Sequence, residues 1–128
     1  ANGATLAGHI QIEDYAIIGG LAAVHQFCQI GTHAFLSGLT GVSLDIPPYM
    51  LASGSRAKLF GLNLVGLKRH HFSEETLRAL KKAYRTIFRS GLTLEKAIKQ
   101  LREDNISRMP EVQHLLQFIQ NSKRGICR

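Results

Sequence analysis

Leu6, Ile12, Ile18, Val24, Ile30, Leu36 and Val42 place an aliphatic side chain at every sixth position without a break. Two places before each stands Ala4, Ile10, Ala16, Ala22, Cys28, Ala34 or Thr40, small in all but one case. Ordinary strands beside a buried helix could give alternation, since six is a multiple of the strand period. They would not keep the register unbroken or hold small residues at one offset. The pattern predicts a parallel β-helix in which each hexad points its branched aliphatic at the axis and turns a corner at the small residue. Three hexads close one triangular coil, and coils stack at the strand spacing of ~4.8 Å. Each coil buries its aliphatics only against its neighbours, so the uncapped core edge at the start implies further coils ahead of Ala1.

The hexads stop at "LDIPPYM" (44–50), where Pro47 and Pro48 cannot donate to a ladder and are expected to close the last coil. Residues 1–50 are therefore read as β-helix coils, 51–72 as an extended or irregular connector, and 73–128 as a small C-terminal α-helical domain. Ser73 offers an N-cap followed by Glu74 and Glu75, Phe72 can staple to Leu77, and Gly91 marks the end of that helix. A second helix is expected from Thr93. A third runs from Pro110, favoured in a first turn, to about Gly125.

The net charge of +7 conceals an asymmetry: residues 1–50 hold three acids and no Lys or Arg, while 51–128 hold all 16 bases and six acids. So basic a segment attracts polyanions, whether nucleic acid, an anionic membrane face, an acidic protein or a phosphorylated small molecule. It lacks the interleaved aromatic residues that stack on bases, which counts against nucleic acid. No apolar run approaches the ~18 to 20 residues of a membrane span. Cys28 and Cys127 make no disulfide framework and suit a reducing compartment.

In "GGLAAVHQFCQIG" (19–31) His25 and Gln26 follow the inward-pointing Val24, which places them on the outer side. His9 lies 16 residues before His25, two short of a coil, so His9, His25 and Gln26 are expected on one edge of the prism beside Gly8. A lone histidine there reads as a hydrogen-bonded surface residue; the cluster reads as part of a site. A neutral imidazole works as a general base or hydroxyl ligand near pH 7, and a backbone N–H next to glycine can closely approach an oxyanion. A metal would need a third ligand converging on that edge, and none is visible. P-loop, dinucleotide, nucleophile-elbow and paired-cysteine motifs are missing. Lys68, Arg69, His70 and His71, in "NLVGLKRHHF" (63–72), form a second polar cluster, readable as a solvated charge run or a phosphate site.

"ATLAGHIQIEDYAIIGGLAAVHQFCQIG", "DIPPYM", "FGLNLVGLKR" and "KRGI" together resemble the C-terminal half of the UDP-N-acetylglucosamine O-acyltransferases of lipid A biosynthesis, within the hexapeptide-repeat acyltransferases. The resemblance covers essentially the whole chain. It implies a left-handed parallel β-helix followed by a C-terminal helical domain, a homotrimer with active sites between subunits, and a cytoplasmic enzyme. The implied reaction moves an R-3-hydroxyacyl group from acyl carrier protein to the 3-hydroxyl of UDP-N-acetylglucosamine. No cofactor is implied beyond that carrier-bound acyl thioester as co-substrate, and neither nucleic acid nor stable membrane insertion is involved.

By the same resemblance the Gly8 N–H is the oxyanion donor, and His9 contacts the sugar or acyl group near the reacting centre. His25 and Gln26 line the site and hold substrate, and Asn63 and Arg69 hold the uridine diphosphate end. The family's general-base histidine lies about one coil before His9, ahead of Ala1, so this chain alone is expected to be nearly inactive. Arg56 and Val65 depart from the family pattern, which commonly has histidine and an acid there, and Gly38 leaves room where acyl length is measured. Two other readings are the related N-acyltransferase of the same pathway, against which "GLKR" speaks, and a trimerisation module with a basic tail. The second leaves the His9, His25 and Gln26 edge without a use.

Overall fold

Every sixth residue from Gly3 to Leu39 has a positive φ: Gly3 75°, His9 58°, Tyr15 64°, Leu21 58°, Phe27 68°, His33 56° and Leu39 64°. These are the corners of a triangular prism, each a β-turn whose third residue is left-handed, closed by bonds such as Ala34 N–H to Gly31 C=O at 3.2 Å. Left-handed backbone costs a bulky residue of order 1–3 kcal/mol. Stacking offsets that cost: His9 lies on Phe27 with ring centroids 5.3 Å apart, and Tyr15 on His33 at 4.9 Å. The small residue after each corner is then forced inward, and Ala22, Cys28, Ala34 and Thr40 are all fully buried.

The computed structural model describes residues 3–128; Ala1 and Asn2, where the coil segment expected over 1–50 begins, lie outside the described residues. Seven two-residue strands follow, β1 (Thr5–Leu6), β2 (Gln11–Ile12), β3 (Ile17–Ile18), β4 (Ala23–Val24), β5 (Gln29–Ile30), β6 (Phe35–Leu36) and β7 (Gly41–Val42). They form three parallel faces, β1-β4-β7, β2-β5 and β3-β6, with Thr5 opposite Ala23, Gln11 opposite Gln29 and Ile17 opposite Phe35. The inward aliphatics are progressively covered along the chain: Leu6 is 46% and Ile12 40% exposed, Val24 2%, and Ile30, Leu36 and Val42 0%.

The parallel ladder does not end at the prolines. Ile46 bridges Ile30, and β8 (Met50–Ser53) pairs with β6, Leu51 opposite Phe35, so the coil is shortened by two residues between Val42 and Ile46, and the corner holding Pro47 and Pro48 keeps the ordinary spacing of the hexads. Pro48 lies against the corner below, where a Cβ on residue 31 would stand 2.3 Å from its nitrogen; only glycine fits. The segment 51–72, read as extended or irregular, contains an antiparallel hairpin of β8 with β9 (Lys58–Leu62) and a short helix α1 (Leu64–Arg69). Its strands are brief and interrupted by Gly54 and Gly61, so no period shows.

Helices α2 (Glu74–Phe88), α3 (Leu94–Arg102) and α4 (Pro110–Asn121) pack around Leu80, Leu101, Leu115 and Leu116. Ser73 and Thr93 cap the first two, their hydroxyl oxygens accepting from the N–H groups of Thr76 and Lys96. The chain leaves α2 at Phe88 and α4 at Asn121, a few residues before the expected glycines. After α4 the tail returns to the coils. Buried Asp45 accepts the Gln29 N–H at 2.8 Å and the Ser122 hydroxyl at 2.6 Å, and Ile126 makes a parallel bridge with it. A second seam joins His114 Nε2 on α4 to Glu13 Oε1 at 2.8 Å, the same oxygen that accepts the Thr32 N–H.

Candidate active site

The corner between the β1-β4-β7 face and the β2-β5 face carries Gly8 and His9 on one coil and His25, Gln26 and Phe27 on the next. His9, His25 and Gln26 were placed there by register alone, and Gly8 follows as the neighbour of His9. A Cβ on Gly8 would meet nothing within 4 Å, so its backbone borders open space. His9, His25 and Gln26 are exposed. His25 is held by its backbone, its N–H donating to Val42 C=O at 2.9 Å and its carbonyl accepting from Cys28 N–H at 3.3 Å. The side chain remains free to meet a ligand.

Two cavities flank this corner. One, of about 510 Å³, is lined by Thr5, Ala7, Ala23, His25, Gln26, Phe27 and Arg124. The other, of about 470 Å³, is lined by His9, Gln11, Phe27, Gln29, Asp45, Lys123 and Arg124. Phe27 and Arg124 border both. A third cavity of about 570 Å³ joins His25 to Ser43, Ser55, Arg56 and Cys127. Burial pushes the Cys28 thiol beneath this corner above its ordinary range, against the pull of the Arg124 guanidinium. Cys127, buried with its thiol donating to Ala57 C=O, is pushed up to about 11. Both thiols stay protonated and unreactive at neutral pH.

Asn63 and Arg69 lie elsewhere. They share a cavity of about 620 Å³ outside the β3-β6-β8 face, over an apolar floor of Ile17, Phe35, Leu51 and Leu62, with Val65 and His70 at its side. Asn63 is buried and already employed: its Oδ1 accepts from Gly66 N–H at 3.2 Å, capping α1, and its Nδ2 donates to His33 C=O at 3.0 Å. Val65 adds to the apolar wall, and Arg56 borders the His25 cavity. The two groups of expected site residues thus occupy different sides of the prism and do not meet within one chain.

Phe27 and Arg124 were not singled out from sequence. Phe27 was legible, standing 18 residues after His9 and so directly on it. Arg124 was not, because its place depends on how the tail packs. The aromatic column Tyr15, His33 and Tyr49, with His70 and Phe72 edge-on or tilted against it, also went unread. Burial, reinforced by the positive charge of His70, holds the His33 imidazole below its ordinary value.

Residues 45–127 match the family model described as UDP N-acetylglucosamine O-acyltransferase, domain 2. The chain belongs to the UDP-N-acetylglucosamine O-acyltransferase family. The acyl-(acyl-carrier-protein)–UDP-N-acetylglucosamine O-acyltransferase of Myxococcus xanthus is 55% identical over 119 residues, 93% of this chain and 46% of that relative. The correspondingly named protein of Nautilia profundicola is 49% identical over 98% of this chain and 48% of its own length. Among solved structures, the Arabidopsis UDP-N-acetylglucosamine acyltransferase superimposes with TM-score 0.94 at 41% identity, covering 100% of this chain and 48% of that one. The Bacteroides fragilis enzyme gives 0.95 at 38%, covering 99% and 49%. The chain spans about half the length of the curated relatives it matches. Its coils are those of this acyltransferase family, a left-handed parallel β-helix, the hand expected from sequence.

Proposed function

We propose that this chain forms part of a cytoplasmic, homotrimeric enzyme that transfers an R-3-hydroxyacyl group from acyl carrier protein to the 3-hydroxyl of UDP-N-acetylglucosamine, the first step of lipid A biosynthesis. The observation that carries the reading is the Gly8 corner, where an unobstructed backbone stands beside exposed His9, His25 and Gln26 and above a cavity. In the transfer the sugar oxygen attacks the thioester carbonyl, the C–O bond forms, the C–S bond breaks, and the carrier thiol leaves with a proton. Negative charge develops on the carbonyl oxygen, and in this reading the Gly8 N–H donates to it. His9 orients the sugar or acyl group and is not the base. His25 and Gln26 hold substrate, and Asn63 and Arg69 of a neighbouring subunit hold the uridine diphosphate. The separation of the two groups within one chain favours a site completed by a second copy. The basic helical region steers an acidic carrier protein to the cleft. No helix among the described residues is long and apolar enough to cross a membrane.

Transfer from R-3-hydroxyacyl carrier protein to UDP-N-acetylglucosamine, assayed in the full-length protein that bears this chain, tests the reading. His9→Ala is expected to lower kcat/KM by roughly 10²–10⁴, and Gly8→Ala to impair transfer without loss of stability. Mixing subunits of His9→Ala and Arg69→Ala is expected to restore part of the activity, because some sites then hold both intact residues. An unchanged kcat/KM for His9→Ala would overturn the role of the corner, and no recovery on mixing would overturn the shared site.

A further inference from the structure

The coil segment contains no Lys or Arg, so no cation reaches the His9, His25 and Gln26 corner from the coils themselves. One arrives from the chain's far end. Ser122 is tied to Asp45 on one side of Arg124, and on the other Gly125 C=O accepts the Asp45 N–H at 2.9 Å while Ile126 bridges Asp45. The backbone of Arg124 is therefore fixed against the coils although its side chain is exposed. Its Nε donates to Ser43 C=O at 3.0 Å. No carboxylate among the described residues pairs with the guanidinium, since Asp45, the acid bordering the same cavity, is occupied by Gln29 and Ser122. Arg124 borders both cavities of the corner, and Lys123 borders the second.

A guanidinium anchored at Nε by the Ser43 carbonyl, close to the Cys28 thiol and bordering two open cavities without a carboxylate partner, is arranged to bind an oxyanion. We propose that Arg124, with Lys123 beside it, holds a phosphate group of the substrate occupying this corner. This inference rests on the acyltransferase reading, in which both substrates carry phosphate: the nucleotide sugar as a diphosphate, the carrier protein as the phosphodiester of its prosthetic arm. It gives the corner an anion site of its own, apart from Arg69 on the other side of the prism.

Calorimetric titration of the full-length protein that bears this chain, at low ionic strength, with UDP-N-acetylglucosamine, pantetheine 4′-phosphate and inorganic pyrophosphate tests it. Arg124→Gln is expected to weaken one of the two organic phosphates by ~10-fold or more, the size of a lost charge-assisted contact. Which one weakens identifies the source of the phosphate. Arg124→Lys should recover part of the affinity, and Lys123→Gln should lose a few-fold, with thermal midpoints unchanged in all three. Wild-type affinity for both organic phosphates in Arg124→Gln would overturn the proposal while leaving the acyltransferase reading intact. So would lost binding accompanied by lost amide protection at Gly125–Cys127 with Lys123→Gln silent, which makes Arg124 a latch for the tail. Arg124-dependent binding of pyrophosphate alone would keep the anion site and overturn the acyltransferase reading. A wild-type full-length protein that binds none of the three overturns both.

Discussion

Leu36 and Leu115 are both fully buried, yet their surroundings are specified in different ways. Leu36 in the coils has Ile18 on one side and Ala52 on the other, both fixed by ladder register. Leu115 on α4 belongs to a core in which α4 meets α2, elements brought together by packing rather than by a period. A stack buries a residue only through its neighbours, so position along it decides the value of a side chain. A helical cluster has no such direction. Leu36→Ala is accordingly expected to cost about 2–5 kcal/mol. Ile12→Ala, at an equivalent hexad position but 40% exposed in this chain, should cost about 1 kcal/mol or less. Urea unfolding of both variants of this 128-residue chain measures the contrast, and equal losses would mean that burial along the coils does not depend on the neighbouring coil.

The same contrast decides what could be read in advance. Residues 6, 12, 18, 24, 30, 36 and 42 disclosed the prism, and register then placed His9, His25 and Gln26 on one edge, because in a stack sequence separation is spatial separation. Helices α2 to α4 were legible from Ser73, Thr93 and Pro110, whose local chemistry starts helices wherever they stand. The prolines misled because a residue unable to donate to a ladder was taken to end it, whereas corners contain positions that no ladder bond needs. Arg124 and His114 lay beyond reach. No spacing relates them to Ser43 or Glu13, and only the way α4 packs brings them there.

The seam at Asp45, where the periodic part holds the aperiodic one, sharpens the comparison. Asp45→Ala leaves the Gln29 N–H and the Ser122 hydroxyl without their acceptor, an expected loss of about 1–3 kcal/mol. The loss should be local: hydrogen exchange at Gly125–Cys127 should accelerate while amides of α2 keep their protection. Uniform acceleration across both would show that tail and helices open as one unit.

The smallest effect belongs to the aromatic column around His33, and it depends on pH. His33 stacks between Tyr15 and Tyr49 on the coil corners and meets Phe72 and His70 from the segment after α1, with Asp14 and Glu111 bordering the same cleft. Burial first, and the His70 charge second, hold its imidazole below the ordinary value of 6.5. The folded chain therefore binds fewer protons at this position than the unfolded chain, and stability falls as pH falls. Its contribution is complete above pH 6.5 and is lost as pH drops through the lowered folded value. Tm should be level just above neutrality and decline below 6.5. His33→Phe keeps an aromatic ring in the column and removes the proton site, so it should flatten the decline between 6.5 and 5. His70→Gln, removing only the weaker cause, should flatten it less. An unchanged slope in His33→Phe would assign the acid sensitivity elsewhere and leave the aromatic column a purely steric clamp between coils and helices.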